Sequence, residues 1–136
     1  MSSINEIRNY MELRVNTLIN KSSTEYHEKM RLFAKEFETL TKKIKSYLPN
    51  IKGFLIDIGL KDTTHNKNIY SYKHDLIDET MVEFQLDKSK RTKEWLDDRI
   101  IEISAKCIDY LDELLTKRRK ELSLAKRRVN RFIRSI

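Results

Sequence analysis

The chain has 136 residues, of which 39% are hydrophobic and 36% are charged, and its formal net charge at pH 7 is +7. This length suits a single domain, and the high charged fraction favours an elongated or oligomeric helical protein over a globule with a large core. Charges interrupt every apolar run well before the roughly 18 residues that a bilayer span requires, so a membrane-spanning protein is not expected.

Residues 1–48 are predicted to form a helical arm made of two helices. Ser3 with Glu6, and Ser22 with Glu25, have the capping-box spacing of helix starts. Two helices are therefore expected, separated by a break at residues 21–23. The side chains expected on one side of the first helix are Ile4, Ile7, Met11, Leu18 and, as a weaker member, Val15.

The second helix has the clearest periodicity in the chain. Its aromatic and aliphatic residues follow one another at alternating spacings of four and three, which is the heptad pattern of a coiled-coil seam. Pro49 ends the pattern, because proline disfavours helical geometry at the preceding residue. The seam is a candidate surface for oligomerisation and comprises Tyr26, Met30, Phe33, Phe37, Leu40 and Ile44, with Tyr47 in the same register.

The middle element, residues 51–87, supports two alternatives. Alternation with period two over residues 54–60 and 82–86, and strand-type composition over residues 69–72, predict a small β-meander. The competing assignment makes residues 75–86 a helix, since apolar side chains there also have helical spacing. The buried residues of that helix would be Ile77, Met81 and Phe84.

Residues 90–136 are predicted to form one long helix with a basic end. A single apolar face continues almost to the last residue, and only Arg118 interrupts it. Together with the helical arm it predicts a mainly α fold, in which long arms form a helical hairpin or coiled-coil-like bundle. This order of parts is similar to that of prefoldin-type chaperone subunits. The apolar face comprises Leu96, Ile100, Ile103, Cys107, Tyr110, Leu111, Leu114, Leu122, Ala125, Val129, Phe132 and Ile136.

The positive charge is concentrated in the final twenty residues. Residues 117–136 contain nine basic side chains and one acid, whereas residues 1–116 carry a net charge of −1. An arginine-rich helical face suits phosphate, because guanidinium groups bind it in two-point fashion and release counterions. Nucleic acid, bound largely without sequence specificity, is therefore the expected partner. This basic face comprises Lys117, Arg119, Lys120, Lys126, Arg127, Arg128, Arg131 and Arg134.

The basic face is also compatible with roles that involve no nucleic acid. Cations near a helix C-terminus complement its macrodipole, and solvated charge runs are common. Residues 94–113 carry a net charge of −5, so two copies could pair antiparallel through opposite charges. The alternative function is a protein–protein adaptor or a chaperone-like assembly component that acts through its helical arms. Contact with an anionic membrane surface is a further variant of polyanion binding.

No residue pattern indicates catalysis, a metal or a cofactor. His27, His65 and His74 have no metal-type spacing with one another or with Cys107, which lies on the apolar face. The chain has only two glycines, too few for a phosphate-cradling loop. A non-catalytic protein is expected, and the lone cysteine and the early charges, which a secretory signal would lack, predict a cytoplasmic location.

Overall fold

The structure is a computed structural model that describes residues 3–47 and 69–135. Helices account for nearly all of these residues, and no strand occurs within them, which confirms the mainly α prediction. None of the described helices is long and apolar enough to cross a membrane. The elements in chain order are α1 (Ile4–Lys45), α2 (Ile69–Leu86), a short 3-10 helix (Lys88–Lys90) and α3 (Lys93–Ser135).

The helical arm is one helix, so the predicted break at residues 21–23 is wrong. Helix α1 begins as expected, because the Ser3 hydroxyl oxygen accepts a hydrogen bond from the Glu6 amide at 3.2 Å. The second capping signal is not used. Serine and threonine cost a helix interior well under about 1 kcal/mol each, and the Thr24 hydroxyl donates back to the Asn20 carbonyl at 2.9 Å. The capping-box spacing of Ser22 and Glu25 is therefore too weak to end the helix, and packing of the flanking residues keeps it continuous.

Helix α2 decides between the two alternatives for the middle element. Residues 69–72 and 82–86, predicted as possible strands, are both helical, so the meander is wrong for these residues. Ile77, Met81 and Phe84 are buried, as the competing helix predicted. Their i, i+4 and i+7 spacing places them on one helical face, where alternation with period two would separate them. The predicted strand at residues 54–60 and Pro49 lie outside the described residues.

The basic end belongs to a single helix of 43 residues, α3. Its start is capped by Thr92, whose hydroxyl oxygen accepts from the Trp95 amide at 3.1 Å. Arg118 does not interrupt the helix. The expected apolar face is largely buried, with Ile100, Cys107 and Val129 at 0% exposure.

Two compact units share the long helices. Unit 1 comprises Met1–Thr24 and Asn66–Leu111, and unit 2 comprises Glu25–His65 and Asp112–Ile136. Unit 1 is a three-helix bundle in which α2 runs antiparallel to both α1 and α3, because residues later in one helix contact residues earlier in the next. The contacts that establish these directions are Arg8–Asp78, Asn16–Lys73, Phe84–Trp95 and Tyr72–Tyr110.

Within unit 1, α1 and α3 are therefore parallel. The Tyr10 hydroxyl donates to Asp97 at 2.9 Å, which joins the beginnings of the two helices. The predicted hairpin between the two long arms is not the arrangement here, since α2 reverses the chain between them. The buried side of α1 also differs from the prediction. Met11, Val15 and Ile19 are at most 5% exposed, whereas Ile4 and Leu18 lie at the surface.

Among the described residues of unit 2, a buried apolar cluster joins the later parts of α1 and α3. Phe37, Leu122 and Ala125 form a buried cluster, against which Phe33 and Leu40 pack. Burial of an aromatic ring and its aliphatic neighbours stabilises this contact between α1 and α3. This cluster also decides which side of α3 faces inward.

Candidate nucleic-acid interface

The orientation of the basic face follows from the buried side of α3. Leu122, Ala125 and Val129 are all at most 5% exposed. At about 100° per residue, these positions occupy one side of the helix, and Arg119, Arg127 and their neighbours fall on the opposite side. Seven of the eight predicted residues are exposed and Arg128 is half-buried.

Arg118 lies on the buried side and belongs to the core rather than to the basic face. Its guanidinium carbon lies 4.2 Å from the centroid of the Phe37 ring, and its Nη1 donates to Glu121 at 3.1 Å. The Nε atom is buried and has no hydrogen-bond partner among the described residues. Arg118 is thus retained at an inward position by a cation–π contact and an ion pair one turn away.

Three residues of the basic face already have partners. Lys126 Nζ lies 2.9 Å from a Glu36 carboxylate oxygen, and Lys117 and Arg128 also take part in interactions. The other five cations form no salt bridge with any residue in the described part of the chain. These five residues, called the unpaired cations below, are Arg119, Lys120, Arg127, Arg131 and Arg134.

The unpaired cations share one narrow sector of α3. At 3.6 residues per turn they fall within about 120° of the helix circumference, and from Arg119 to Arg134 they extend about 22 Å along the axis. Like charges this close repel one another and raise the local positive potential. The arrangement therefore concentrates counterions, and an extended polyanion can displace them.

The C-terminal part of this sector is concave. A surface depression of about 290 Å³ is lined by Arg127, Asn130, Arg131 and Arg134. Three guanidinium groups and one amide around a single depression can donate several hydrogen bonds to phosphate oxygens. Asn130 is not among the residues predicted from the sequence. Its spacing from Arg127 and Arg134, three and four residues, places it on the same helical face and would have identified it.

The predicted oligomer seam is used in part within the chain. Phe37 belongs to the buried cluster with Leu122 and Ala125 of α3, and Phe33 and Leu40 pack against this cluster. Ile44 is fully buried, while Tyr26 and Met30 are half-buried. Tyr47, in the same register, is 50% exposed. The heptad pattern therefore has an intramolecular use in α1.

The described residues include no group of three or more histidine, cysteine, aspartate or glutamate side chains that could hold a metal ion. Cys107 is fully buried. Burial raises the pKa of its thiol to about 11, against a smaller lowering by the Lys73 ammonium. A thiol in that state is a poor nucleophile at neutral pH. His65 lies outside the described residues.

Comparison with known proteins returned no match among protein-family models, curated proteins or solved structures. The function of this protein is therefore inferred from the geometry of its own chain.

Proposed function

We propose that this protein binds nucleic acid through the unpaired cations of α3, by contacts to phosphates and largely without sequence specificity. The observation that carries the proposal is the grouping of five exposed cations without salt-bridge partners among the described residues, on one sector of an ordered helix. One or two cations are enough to complement the macrodipole at a helix C-terminus, so that role does not require five cations on one sector.

The residue types favour phosphate over other anions. Four of the five unpaired cations are arginines, whose planar guanidinium binds two phosphate oxygens at once, whereas a lysine acts as a point charge. The three arginines around the depression make it the strongest phosphate subsite on this face. Among the described residues, no exposed aromatic side chain lies on the same sector. Base stacking therefore has no platform here, and we expect phosphate contacts to dominate.

The test is a titration with duplex DNA and with single-stranded RNA at several salt concentrations. Contacts to five phosphates predict that the logarithm of the association constant falls with the logarithm of the salt concentration. The expected slope is about −4.5 for duplex DNA and about −3.5 for a single strand. Different sequences of equal length should bind with the same affinity, because the sugar–phosphate backbone carries no base information.

A flat salt response with weak binding would reject the proposal and favour the adaptor function instead. Vesicles with an anionic surface distinguish membrane contact from nucleic-acid binding. If vesicles bind more tightly than oligonucleotides of comparable phosphate content, the basic face is a membrane-surface element. The proposal includes no catalytic step, metal or cofactor.

A further inference from the structure

A second charged site lies in unit 1, far along the chain from the basic face. Lys73 of α2 is only 5% exposed. Its ammonium nitrogen donates a hydrogen bond to the Asn16 side-chain oxygen at 2.7 Å and lies 5.2 Å from the centroid of the Tyr70 ring. Within the described ranges, 3–47 and 69–135, no carboxylate oxygen lies within ion-pair distance of it.

A buried ammonium without a counterion is unusual. Lysine is almost never fully buried unless it is paired, and its head group normally reaches water along its flexible stem. The ammonium offers three N–H donors, of which Asn16 accepts one. The Tyr70 ring supplies a cation–π contact but no negative charge. The nearby Cys107 thiol does not serve as the counterion, because burial raises its pKa to about 11 and keeps it protonated.

A cavity adjoins this lysine. Its volume is about 260 Å³, and Lys73 is one of its lining residues. The polar part of the wall consists of Asn16, Asn20 and Ser23 from α1, and the apolar part includes Ile19 and Ile69. The cavity thus joins a single buried cation, amide and hydroxyl groups, and an aliphatic surface in a space the size of a small molecule.

We propose that this cavity binds a small organic monocarboxylate, with its carboxylate on the Lys73 ammonium and its aliphatic part against Ile19 and Ile69. One buried positive charge is neutralised by one negative charge, whereas a phosphate dianion would leave a net charge in the cavity at a desolvation cost. The first residues of α2 also line the cavity, and the positive end of a helix dipole favours an anion there. Asn16 and Asn20 can donate amide N–H groups to the second carboxylate oxygen.

The first experiment measures the melting temperature of the full chain with acetate, butyrate, hexanoate and octanoate, using inorganic phosphate as the comparison anion. A ligand that binds only the folded state raises the melting temperature with concentration. We expect a rise that grows with chain length until the cavity is filled, and a smaller rise with phosphate. Equal responses to all five anions would show a salt effect and would overturn the proposal.

The second experiment uses Lys73→Met, which keeps the length of the side chain but removes its charge. Carboxylate binding should weaken by about tenfold or more. The control is Lys88→Met, which removes an exposed lysine of the same unit and should leave binding unchanged. Retention of the carboxylate response by Lys73→Met would reject the site.

Asn16→Asp is an independent variant that does not depend on how Lys73→Met folds. It places a covalently attached carboxylate 2.7 Å from the ammonium, where the ligand is proposed to bind. We expect a higher melting temperature than that of the wild type and loss of the response to added carboxylates. An Asn16→Asp protein that is unchanged in stability and still binds carboxylates would overturn the proposal.

Discussion

Removing the three arginines of the depression gives the sharpest test of the basic face. In the variant Arg127→Gln, Arg131→Gln, Arg134→Gln, two of the five unpaired cations stay in place. The slope of log affinity against log salt for duplex DNA should therefore fall from about −4.5 to about −1.8. Each lost phosphate contact forfeits a factor of about eight at 0.1 M salt, so the affinity should drop about 500-fold. The side chains are exposed, and glutamine keeps good helix propensity, so the fold should be unchanged.

The assay is fluorescence anisotropy with a labelled duplex at four or five salt concentrations, with circular dichroism to verify helicity. The matched control replaces Lys29, Lys35 and Lys43 by glutamine. These lysines are exposed on α1 and lie in unit 2, as do the three arginines. Their replacement removes the same net charge without changing the basic face of α3. We expect the control to keep a slope near that of the wild type. A similar loss in both variants would show that net charge alone drives binding and would refute the geometric argument.

Three further predictions concern the groups that surround this face. Glu36→Gln should release Lys126 from its 2.9 Å ion pair and steepen the salt slope of DNA binding by about 0.9. The control is Glu38→Gln, which releases Lys42 from a 3.2 Å ion pair on α1 and should leave the slope unchanged. Equal slopes in the two variants would contradict the assignment of Lys126 to the basic face. Phe37→Ala should lower the free energy of unfolding in urea by about 3–5 kcal/mol, because the ring is buried against Leu122 and Ala125 and contacts Arg118. The control is Leu32→Ala, whose side chain is 46% exposed, and an equal loss in both variants would show that this cluster does not stabilise unit 2. Cys107 should resist iodoacetamide at pH 8 and react readily in urea, since a pKa of about 11 instead of 9.0 lowers the thiolate fraction by about 100-fold. The same pKa predicts that the free energy of unfolding falls as the pH rises above 9, because the thiol ionises there in the unfolded chain and not in the folded one. Fast alkylation of the folded chain would contradict both expectations.

Much of the helix content could be predicted from residue spacing. The long apolar face of α3 and the heptad pattern of α1 both correspond to helices. Over many residues, an apolar period near 3.6 places its side chains on one buried face only when the segment is helical. The secondary structure of the middle element could not be assigned from residue spacing. Ile77, Met81 and Phe84 fit a helix, while Val82, Phe84 and Leu86 fit a strand, and a run this short carries both periods at once. Contacts with two other helices, such as the stacking of Tyr72 on Tyr110, select the helix.

The sequence predicted the position of the basic face on α3, but not the pairing of its charges. Residue type and helical spacing named eight residues for this face and omitted Asn130, which lines the same depression. They could not separate the unpaired cations from Lys126, because its partner Glu36 is distant in sequence. The burial of Lys73 could not be predicted from the sequence either. A lysine in a polar segment is typical of a solvated surface, and only the packing of α2 between α1 and α3 removes it from water.

The sequence by itself determined that the chain is helical, that its last helix is long and amphipathic, and that its positive charge lies at one end. These properties depend on periodicity, capping and composition, which act over one or two helical turns. Tertiary structure alone decided that α1 continues through residues 21–23, that α1 and α3 are parallel in unit 1, and which charges are paired or buried. Those outcomes depend on contacts between residues tens of positions apart, where small local preferences are outweighed by the burial of apolar surface.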